Sequence, residues 1–168
     1  MPTHLDDDMR AVINSARLVF AATVTPDGKP NLSPKGTIRV FDQSRLFFLD
    51  IASPRTRANL RHSPFIELNV VDQTSRRGYR FFGRATLHQG DEVFSRSTKQ
   101  IFAEESAVYP AECVVLVDVE RAEPLVSPGY WHMADEWDMR AEWKRRRPIL
   151  DAEFEDHVRR RGPWRESR

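Results

Sequence analysis

The sequence predicts a mainly β protein with peripheral helices, built as a six-stranded antiparallel barrel with a helical C-terminal tail. Short β-rich segments alternate with turn residues, and the helices between them are local connections rather than the regular crossovers of a parallel sheet. A Trp- and Arg-rich segment follows the last strand. We therefore expect a barrel domain at residues 1–128 and a mostly helical extension at residues 129–168.

Six segments carry the strand pattern. The first two form a hairpin around the turn Pro26–Lys29, and a third strand completes an antiparallel meander. In the fifth strand, side chains alternate between two faces, with Tyr79 and Phe81 on one face and Phe82 on the other. The predicted strands are Leu18–Thr25, Pro30–Val40, Leu46–Asp50, Phe65–Asp72, Tyr79–His88 and Glu112–Val126.

Helices are predicted before, between and after the strands. Residues 6–16 begin with three acids, which suit a helix N-terminus, and their apolar side chains recur at helical spacing, so we expect this helix to be a lid on the barrel. A second such segment spans residues 91–106. In the tail, we expect one helix at residues 135–146, an interruption at Pro148, and another helix at residues 149–161.

The composition is that of an ordinary soluble protein, and 168 residues are enough to bury a substantial core. There is no apolar run of membrane-spanning length and no apolar signal-peptide core, so we expect a cytoplasmic protein. The net charge of +1 conceals a basic segment from residue 140 onward, with ten Lys/Arg against six Asp/Glu. Because acids are mixed into that segment, a solvated helical face is favoured over nucleic-acid binding, which stays the weaker alternative.

The sequence contains no motif for an acid–base pair, a nucleophile or a phosphate-binding glycine loop. The single Cys113 lies in an apolar run, which favours a buried, unreactive thiol. The five histidines are scattered, so we predict no metal site. Catalytic residues are therefore unknown, and an enzyme with this sequence would take its chemistry from a cofactor.

The junction between the third strand and the next helix is typical of a phosphate site. Ser53 is placed as the N-cap and Pro54 as the first helical residue, followed by Arg55 and Arg57. Acids are normally favoured in a first turn, so two arginines without an acid favour an incoming anion. The alternative is a solvated helix whose arginines only keep the surface soluble.

Lys35 and Arg39 carry the charges of the second strand. They are four residues apart and so would share one strand face, which suits a common anion. Gly36 would permit close approach of a planar ligand. The alternative is that Lys35 and Arg39 are ordinary charged side chains that point outward from the strand and bind nothing.

The order of these motifs carries a family resemblance. The segments are LVFAATVTPDGKPNLSPKGTIRVFDQSRLFFLD, SPRTRANLRHSPFIELNVVD, RGYRFFGRATLH and AECVVLVDVE, within residues 17–126. In this order they resemble the pyridoxamine 5′-phosphate oxidase-like family of FMN-binding split barrels. The chain is most similar to the broad pyridoxamine 5′-phosphate oxidase-related group rather than to the vitamin B6 enzyme itself.

The resemblance implies FMN bound at a homodimer interface, with its phosphate held by the second strand and by the helix start. The residues matched to the phosphate grip are Lys35, Arg39, Arg55 and Thr56, with Arg57 as a helper. Those implied beside the isoalloxazine are Gly36, Thr37, Ile38, Leu49 and Asp50. Those that would approach the flavin from the partner subunit are Gly78, Tyr79 and Arg80.

The implied function is an FMN-dependent oxidoreductase that transfers hydride or electrons to or from a small molecule, with a nicotinamide cofactor as a candidate donor. The alternatives are a flavin carrier or redox sensor without turnover, an F420-dependent reductase, and a nucleic-acid-binding module.

The tail does not match the C-terminal end of the vitamin B6 enzyme. Its tryptophans Trp131, Trp137 and Trp143 would cap the flavin or the dimer, or would only pack. We expect the tail to pack on the dimer near the flavin and to shape the substrate site. Candidate contacts for an anionic substrate or nicotinamide cofactor are Arg140, Lys144 and Arg145.

Overall fold

The computed structural model describes residues 3–132 and 135–161. The described residues form two compact units: those up to Asp72 together with Arg77–Leu125, and Gln73–Arg76 together with those from Val126 onward. Within the predicted extension, residues 133–134 and 162–168 lie outside the described part. No helix among the described residues is long and apolar enough to cross a membrane.

An antiparallel sheet dominates the fold, which confirms the predicted class. The described residues form seven strands in the order β2-β1-β5-β6-β7-β4-β3. The pairs β1–β2, β1–β5, β3–β4, β4–β7 and β5–β6 are all antiparallel. The strands are β1 (Val19–Val24), β2 (Pro30–Lys35), β3 (Arg39–Val40), β4 (Arg45–Asp50), β5 (Phe65–Asp72), β6 (Arg77–His88) and β7 (Cys113–Val126).

The predicted count of six strands is wrong because the second predicted strand is broken. Lys35, at the end of β2, is opposite Val19 of β1, whereas Arg39, in β3, is opposite Phe47 of β4. Strands β2 and β3 lie at opposite ends of the strand order, so the three residues between them connect the two end strands of the sheet. The Thr37 hydroxyl marks this break, since it accepts a hydrogen bond from the Leu49 N–H at 2.9 Å.

Four α-helices and one short 3₁₀ segment lie in the described part of the chain. Helix α1 begins after Asp6, whose carboxylate accepts from the Met9 N–H at 2.8 Å, and α3 begins after Asp91 in the same way. The helices are α1 (Asp7–Ala16), α2 (Pro54–His62), α3 (Glu92–Glu105) and α4 (Glu136–Arg161), and the 3₁₀ segment is Pro128–Trp131.

The predicted interruption at Pro148 is wrong, because α4 is continuous through this residue. A proline removes one intrahelical hydrogen bond, but ion pairs along the helix support the turns on either side. Arg146 forms an ion pair with Glu142, on the N-terminal side of the proline. Arg147 and Asp151, which lie on either side of the proline, form another at 3.5 Å.

Two apolar clusters form the core of the first unit. The larger fills the barrel interior, where Val12 and Ile13 of α1 pack with side chains such as Phe48 and Phe81. The smaller lies beneath α3, where Ile101 packs with its neighbours on β4 and β7. Because alternate residues of β4 face different clusters, this strand is buried on both sides.

Strand β6 passes so close to β7 that Gly83 has no room for a side chain. A Cβ atom on Gly83 would lie 2.1 Å from the Asp118 carbonyl oxygen and 3.0 Å from its carbon. We therefore expect Gly83→Ala to lower the free energy of unfolding in urea by about 1–3 kcal/mol, because the two backbones must separate. Gly36→Ala is the control, since a Cβ there meets no atom within 4 Å. Equal stability of the two variants would contradict this packing.

Candidate functional site

A cleft of about 460 Å³ lies where the end of β4 turns into α2. One side comes from the end of β2 and the residues that follow it, and the other comes from the β4–α2 connection. The cleft is lined by Ser33, Pro34, Lys35, Gly36, Thr37, Leu49, Ile51, Ala52, Ser53 and Tyr109. Four residues of the predicted flavin set, Lys35, Gly36, Thr37 and Leu49, are thus brought together here.

Lys35 is the cation of this cleft, and its side chain is almost fully buried. Its Nζ donates to the Ser33 hydroxyl at 2.9 Å and to the Ser53 hydroxyl, and lies 5.6 Å from the centre of the Phe48 ring. Within residues 3–132 and 135–161, Lys35 forms no ion pair. Burial lowers the pKa of Lys35, while the charge of Asp50 acts in the opposite direction.

The start of α2 is open to an anion. Ser53 holds the N-cap position but makes no capping hydrogen bond, since its hydroxyl accepts from Lys35 instead. The first turn contains no acid. Arg55 is exposed and makes no ion pair with any described residue, whereas Thr56 is buried. Pro54 has no N–H and the Arg57 N–H donates to the Ser53 carbonyl oxygen at 3.1 Å, so the helix start offers an anion the N–H groups of Arg55 and Thr56 and one unpaired guanidinium. Arg55 itself is not among the residues that line the cleft.

Asp50 holds the connection between β4 and α2. Its buried carboxylate accepts from the Ser53 N–H at 3.0 Å and from Arg57 Nη1 at 2.8 Å. Arg57 also pairs with Glu112 at 2.6 Å. The structure thus places the expected helper arginine between two carboxylates, and it turns Asp50 toward α2. Their roles in flavin binding stay predictions.

Arg39 does not share a face with Lys35, so that part of the sequence interpretation is wrong. The bend at the residues between them turns Arg39 into the protein, where it is fully buried. Its guanidinium donates to Glu104 and Glu105 at the end of α3 and to the Ile38 carbonyl oxygen at 2.7 Å. Binding of a phosphate by Arg39 stays a prediction, and it would compete with both carboxylates.

Tyr109 connects this buried arginine to the cleft. The Tyr109 hydroxyl donates to Glu105 Oε2 at 2.8 Å, and this bond contributes most to lowering the pKa of Glu105. The same bond raises the pKa of Tyr109, so the phenol keeps its proton at neutral pH. Glu105, one of the two glutamates that neutralise Arg39, therefore holds the ring of Tyr109 at the cleft.

The remaining predicted residues lie elsewhere in the first unit. Ile38 packs in the barrel core, and Gly78 in β6 lies so close to β5 that an added Cβ would be 1.9 Å from the Val70 carbonyl oxygen. The Tyr79 hydroxyl donates to Asp8 of α1. Arg80 Nε lies 3.0 Å from Glu67 Oε1, in an alignment that makes no hydrogen bond. Contact of the last three with a partner's flavin stays a prediction.

Sequence reasoning placed Ser53 at the start of α2 but missed that Ser53 and Ser33 both bind the Lys35 side chain. Ser33 lies two residues before Lys35 on the same strand, so alternation along β2 could have indicated the contact. Tyr109 and the glutamates of α3 carry no local signal, because they are more than 60 residues from Arg39 in the chain. The Cys113 thiol is buried, as expected, and burial raises its pKa. Among the described residues, no group of three or more His, Cys, Asp or Glu could hold a metal ion.

Comparison with known families agrees with this architecture. The family model described as pyridoxamine 5′-phosphate oxidase matches residues 5–125, which is most of the chain. The chain belongs to the pyridoxamine 5′-phosphate oxidase family. No curated protein matches the sequence. The family resemblance read from the order of sequence motifs is therefore confirmed.

Solved structures share the fold of this family member. HupZ of Group A Streptococcus is 28% identical, with 73% of this chain and 94% of HupZ covered and a TM-score of 0.66. An FMN-binding protein from Syntrophomonas wolfei is 17% identical, with coverages of 73% and 87% and a TM-score of 0.63. The heme storage protein HutZ from Vibrio cholerae is 19% identical, with coverages of 74% and 95% and a TM-score of 0.58. The last two similarities show the fold alone.

The lowered pKa of Lys35 has a consequence for stability. Between its native pKa and its ordinary value of 10.5, the unfolded chain binds a proton that the native protein lacks. The stability of the wild type relative to Lys35→Met should therefore rise as the pH increases through that window. The measurement is urea unfolding from neutral pH to about pH 10.5. Lys29→Met, which removes an exposed lysine, is the control, and a flat difference for Lys35→Met would contradict the burial argument.

Proposed function

We propose that this protein binds FMN with the phosphate in the cleft at the start of α2, and that it transfers hydride or electrons between the flavin and a small molecule. The observation that carries the proposal is the buried ammonium of Lys35, which is held by two serine hydroxyls and by no carboxylate. Membership of the family supports the same assignment.

The residues present fit a flavin phosphate. A buried cation without an anionic partner is costly, and a phosphate at the mouth of the cleft would supply that partner. The acid-free, uncapped start of α2 provides N–H donors for the phosphate oxygens, and Arg55 provides a free guanidinium. The cleft volume of about 460 Å³ lies within the usual range of ligand pockets.

The residues in and around the cleft have distinct parts in this proposal. Lys35, Ser53 and Arg55 would hold the phosphate, while Gly36 and Leu49 would flank the planar ring. Arg39 and Arg57, which are already paired with carboxylates, would support the frame around the phosphate rather than contact it. This assignment differs from the one implied by the family resemblance, because it rests on which cations are free.

A bound flavin would supply the redox chemistry, since it accepts and donates hydride. The chain itself would orient the cofactor and exclude water from one side of the flavin ring. The phenol of Tyr109 stays protonated beside Glu105. Cys113 stays a thiol because burial and the charge of Asp50 raise its pKa. The cytoplasm stays the expected compartment.

The alternative functions differ in the bound group and in turnover. A flavin carrier or redox sensor would bind FMN without oxidising NADH or NADPH, and an F420-dependent reductase would react only with the reduced deazaflavin. Nucleic-acid binding is disfavoured because many of the basic side chains on α4 are already paired with acids on the same helix. These pairs include Arg140–Glu136, Arg145–Glu142, Arg159–Glu155 and Arg160–Asp156.

The decisive experiment is to denature the purified protein and identify the chromophore that it releases. FMN would support the proposal. Heme, the group stored by HutZ, or F420 would overturn the flavin assignment, because the same fold would then serve another group. Anaerobic mixing of the FMN-loaded protein with NADH or NADPH then separates an oxidoreductase from a carrier, since only the former bleaches the flavin absorption.

Arg55 gives the sharpest mutational test of the phosphate site. We expect Arg55→Ala to weaken FMN binding by about tenfold or more, because a charge-assisted hydrogen bond to a phosphate is worth about 1.5–3 kcal/mol. The measurement is quenching of flavin fluorescence in a titration. Arg61→Ala, an exposed arginine in the last turn of the same helix, should bind FMN as the wild type does. Equal affinity of both variants would remove Arg55 from the site.

We further propose that two copies of the chain associate through the outer face of β1, β2, β5 and β6. On this face, Phe20, Leu32 and Phe65 are exposed to 44%, 64% and 44%. Phe65 stacks on Phe82 with ring centres 6.2 Å apart. Such a group of apolar side chains is typical of a subunit interface. The sequence interpretation placed aromatic groups on both faces of β6, and Phe82 is the one on this outer face.

Leu32→Asp should convert the dimer into a monomer, because it places a charge at the most exposed of these apolar residues. The measurement is light scattering of the FMN-loaded protein at micromolar concentration. Val108→Asp, which replaces an apolar residue that is 84% exposed and outside this face, is the control and should stay dimeric. A monomeric wild type would contradict the proposed association.

A further inference from the structure

The second unit contains a concave pocket of about 420 Å³ that the flavin proposal does not use. The tip of the β5–β6 hairpin contributes Arg76 to this pocket. Helix α4 contributes Trp143, Lys144, Arg147 and Asp151, whose spacing places them along one side of the helix.

Arg76 has an unusual backbone that neighbouring segments hold in place. Its φ is 58°, in the left-handed region that a residue with a side chain seldom adopts. The Arg76 carbonyl oxygen accepts from the Ser127 N–H at 3.0 Å, and the Ser75 carbonyl oxygen accepts from the Tyr130 hydroxyl at 2.6 Å. Hydrogen bonds to two consecutive carbonyl groups thus hold the tip of the β5–β6 hairpin and the backbone from which the Arg76 side chain extends.

The guanidinium of Arg76 is oriented but has no anionic partner in the described part of the chain. It stacks on the Trp143 ring, with Cζ 3.6 Å from the ring centre. Stacking uses the flat face of the guanidinium and leaves the N–H donors at its edge free for a bidentate acceptor. Because Arg76 covers the indole, Trp143 orients the arginine and is not free on that side to stack on a ligand.

Two further basic side chains, Lys144 and Arg147, line the pocket with Arg76. Among the described residues, Lys144 forms no ion pair, in contrast to the paired Arg145 and Arg146 beside it. Arg147 reaches Asp151 at 3.5 Å, and both side chains are more than 60% exposed, so that pair is screened by solvent. The pocket therefore contains three cations against one carboxylate.

We propose that this pocket binds the phosphate group of a small phosphate-bearing ligand. Arg76 grips two phosphate oxygens with its oriented edge, and Lys144 supplies a second positive charge. A phosphate dianion matches the excess of cations better than a single carboxylate does. The proposal does not depend on the flavin site, because none of its residues belongs to the cleft at α2.

Inorganic pyrophosphate is the probe, titrated by calorimetry into the FMN-loaded full chain at constant ionic strength. Arg76→Gln and Lys144→Gln should each weaken binding about tenfold. Arg145→Gln removes the same charge from the same helix outside the pocket and should bind as the wild type does. Lys144 is exposed on a helix, so Lys144→Gln tests the pocket even where a change at the strained Arg76 disturbs the hairpin.

Several outcomes would overturn the proposal. Unchanged affinity in Lys144→Gln would exclude the pocket. Equal losses in Lys144→Gln and Arg145→Gln would show a general effect of positive charge. Loss of pyrophosphate binding in Arg55→Ala instead would assign the anion to the cleft at α2. A single-stranded oligonucleotide that binds more tightly than pyrophosphate, with equal sensitivity to Lys144 and Arg145, would point to a polyanion surface. FMN affinity, measured separately, tests the flavin proposal alone.

Discussion

The buried carboxylate of Asp50 is the interaction on which the cleft depends. It sits at the last residue of β4, where it accepts from the backbone of Ser53 and from Arg57. These bonds fix the direction in which α2 leaves the sheet. Asp50 is committed to α2, so the nearby ammonium of Lys35 is left with hydroxyl partners alone. A single carboxylate therefore both shapes the cleft and leaves a cation available inside it.

Arg39 differs from Lys35, because the charge of Arg39 is neutralised by carboxylates within the protein. The guanidinium is buried, and the two glutamates that neutralise it are at the end of α3. Removing one partner of a buried ion pair costs about 3–5 kcal/mol, so the sheet and α3 are coupled through this contact. Tyr109 extends the coupling to the cleft through Glu105. The position of the tyrosine ring thus depends on a residue in the core of the protein.

Much of the fold could be predicted from local pattern. Strand β5 has the predicted bounds, and β6 shows the predicted alternation because its periodicity of two matches one buried face. The break after Lys35 has only a weak local signal, since glycine is uncommon within strands, and the change of pairing partner depends on distant strands. The same limit applies to Pro148, because the proline indicates a helix end and nothing nearby in the sequence shows that α4 continues through it.

The site was predictable to the extent that it depends on neighbours in the chain. The acid-free start of α2 is visible in the sequence, and Arg55 is free as that pattern indicates. The sequence could not distinguish Arg55 from Arg57 or Arg39, because the carboxylates that occupy the latter two come from other elements. The order of the family's sequence motifs gave a short set of candidate residues. The ion pairs in the structure then separate the unpaired Arg55 from Arg39 and Arg57, which are paired with carboxylates.

The two end strands of the sheet have a consequence for how copies of this chain can associate. Strand β2 begins with Pro30 and contains Pro34, neither of which can donate a backbone hydrogen bond, and β3 is only two residues long. Both edges are therefore poor templates for the addition of a strand from another molecule. Edge-to-edge polymerisation, the usual hazard of an open sheet, is discouraged at both margins. Any association between copies of this chain is left to side chains on the sheet face, where it can close into a finite assembly rather than a fibre.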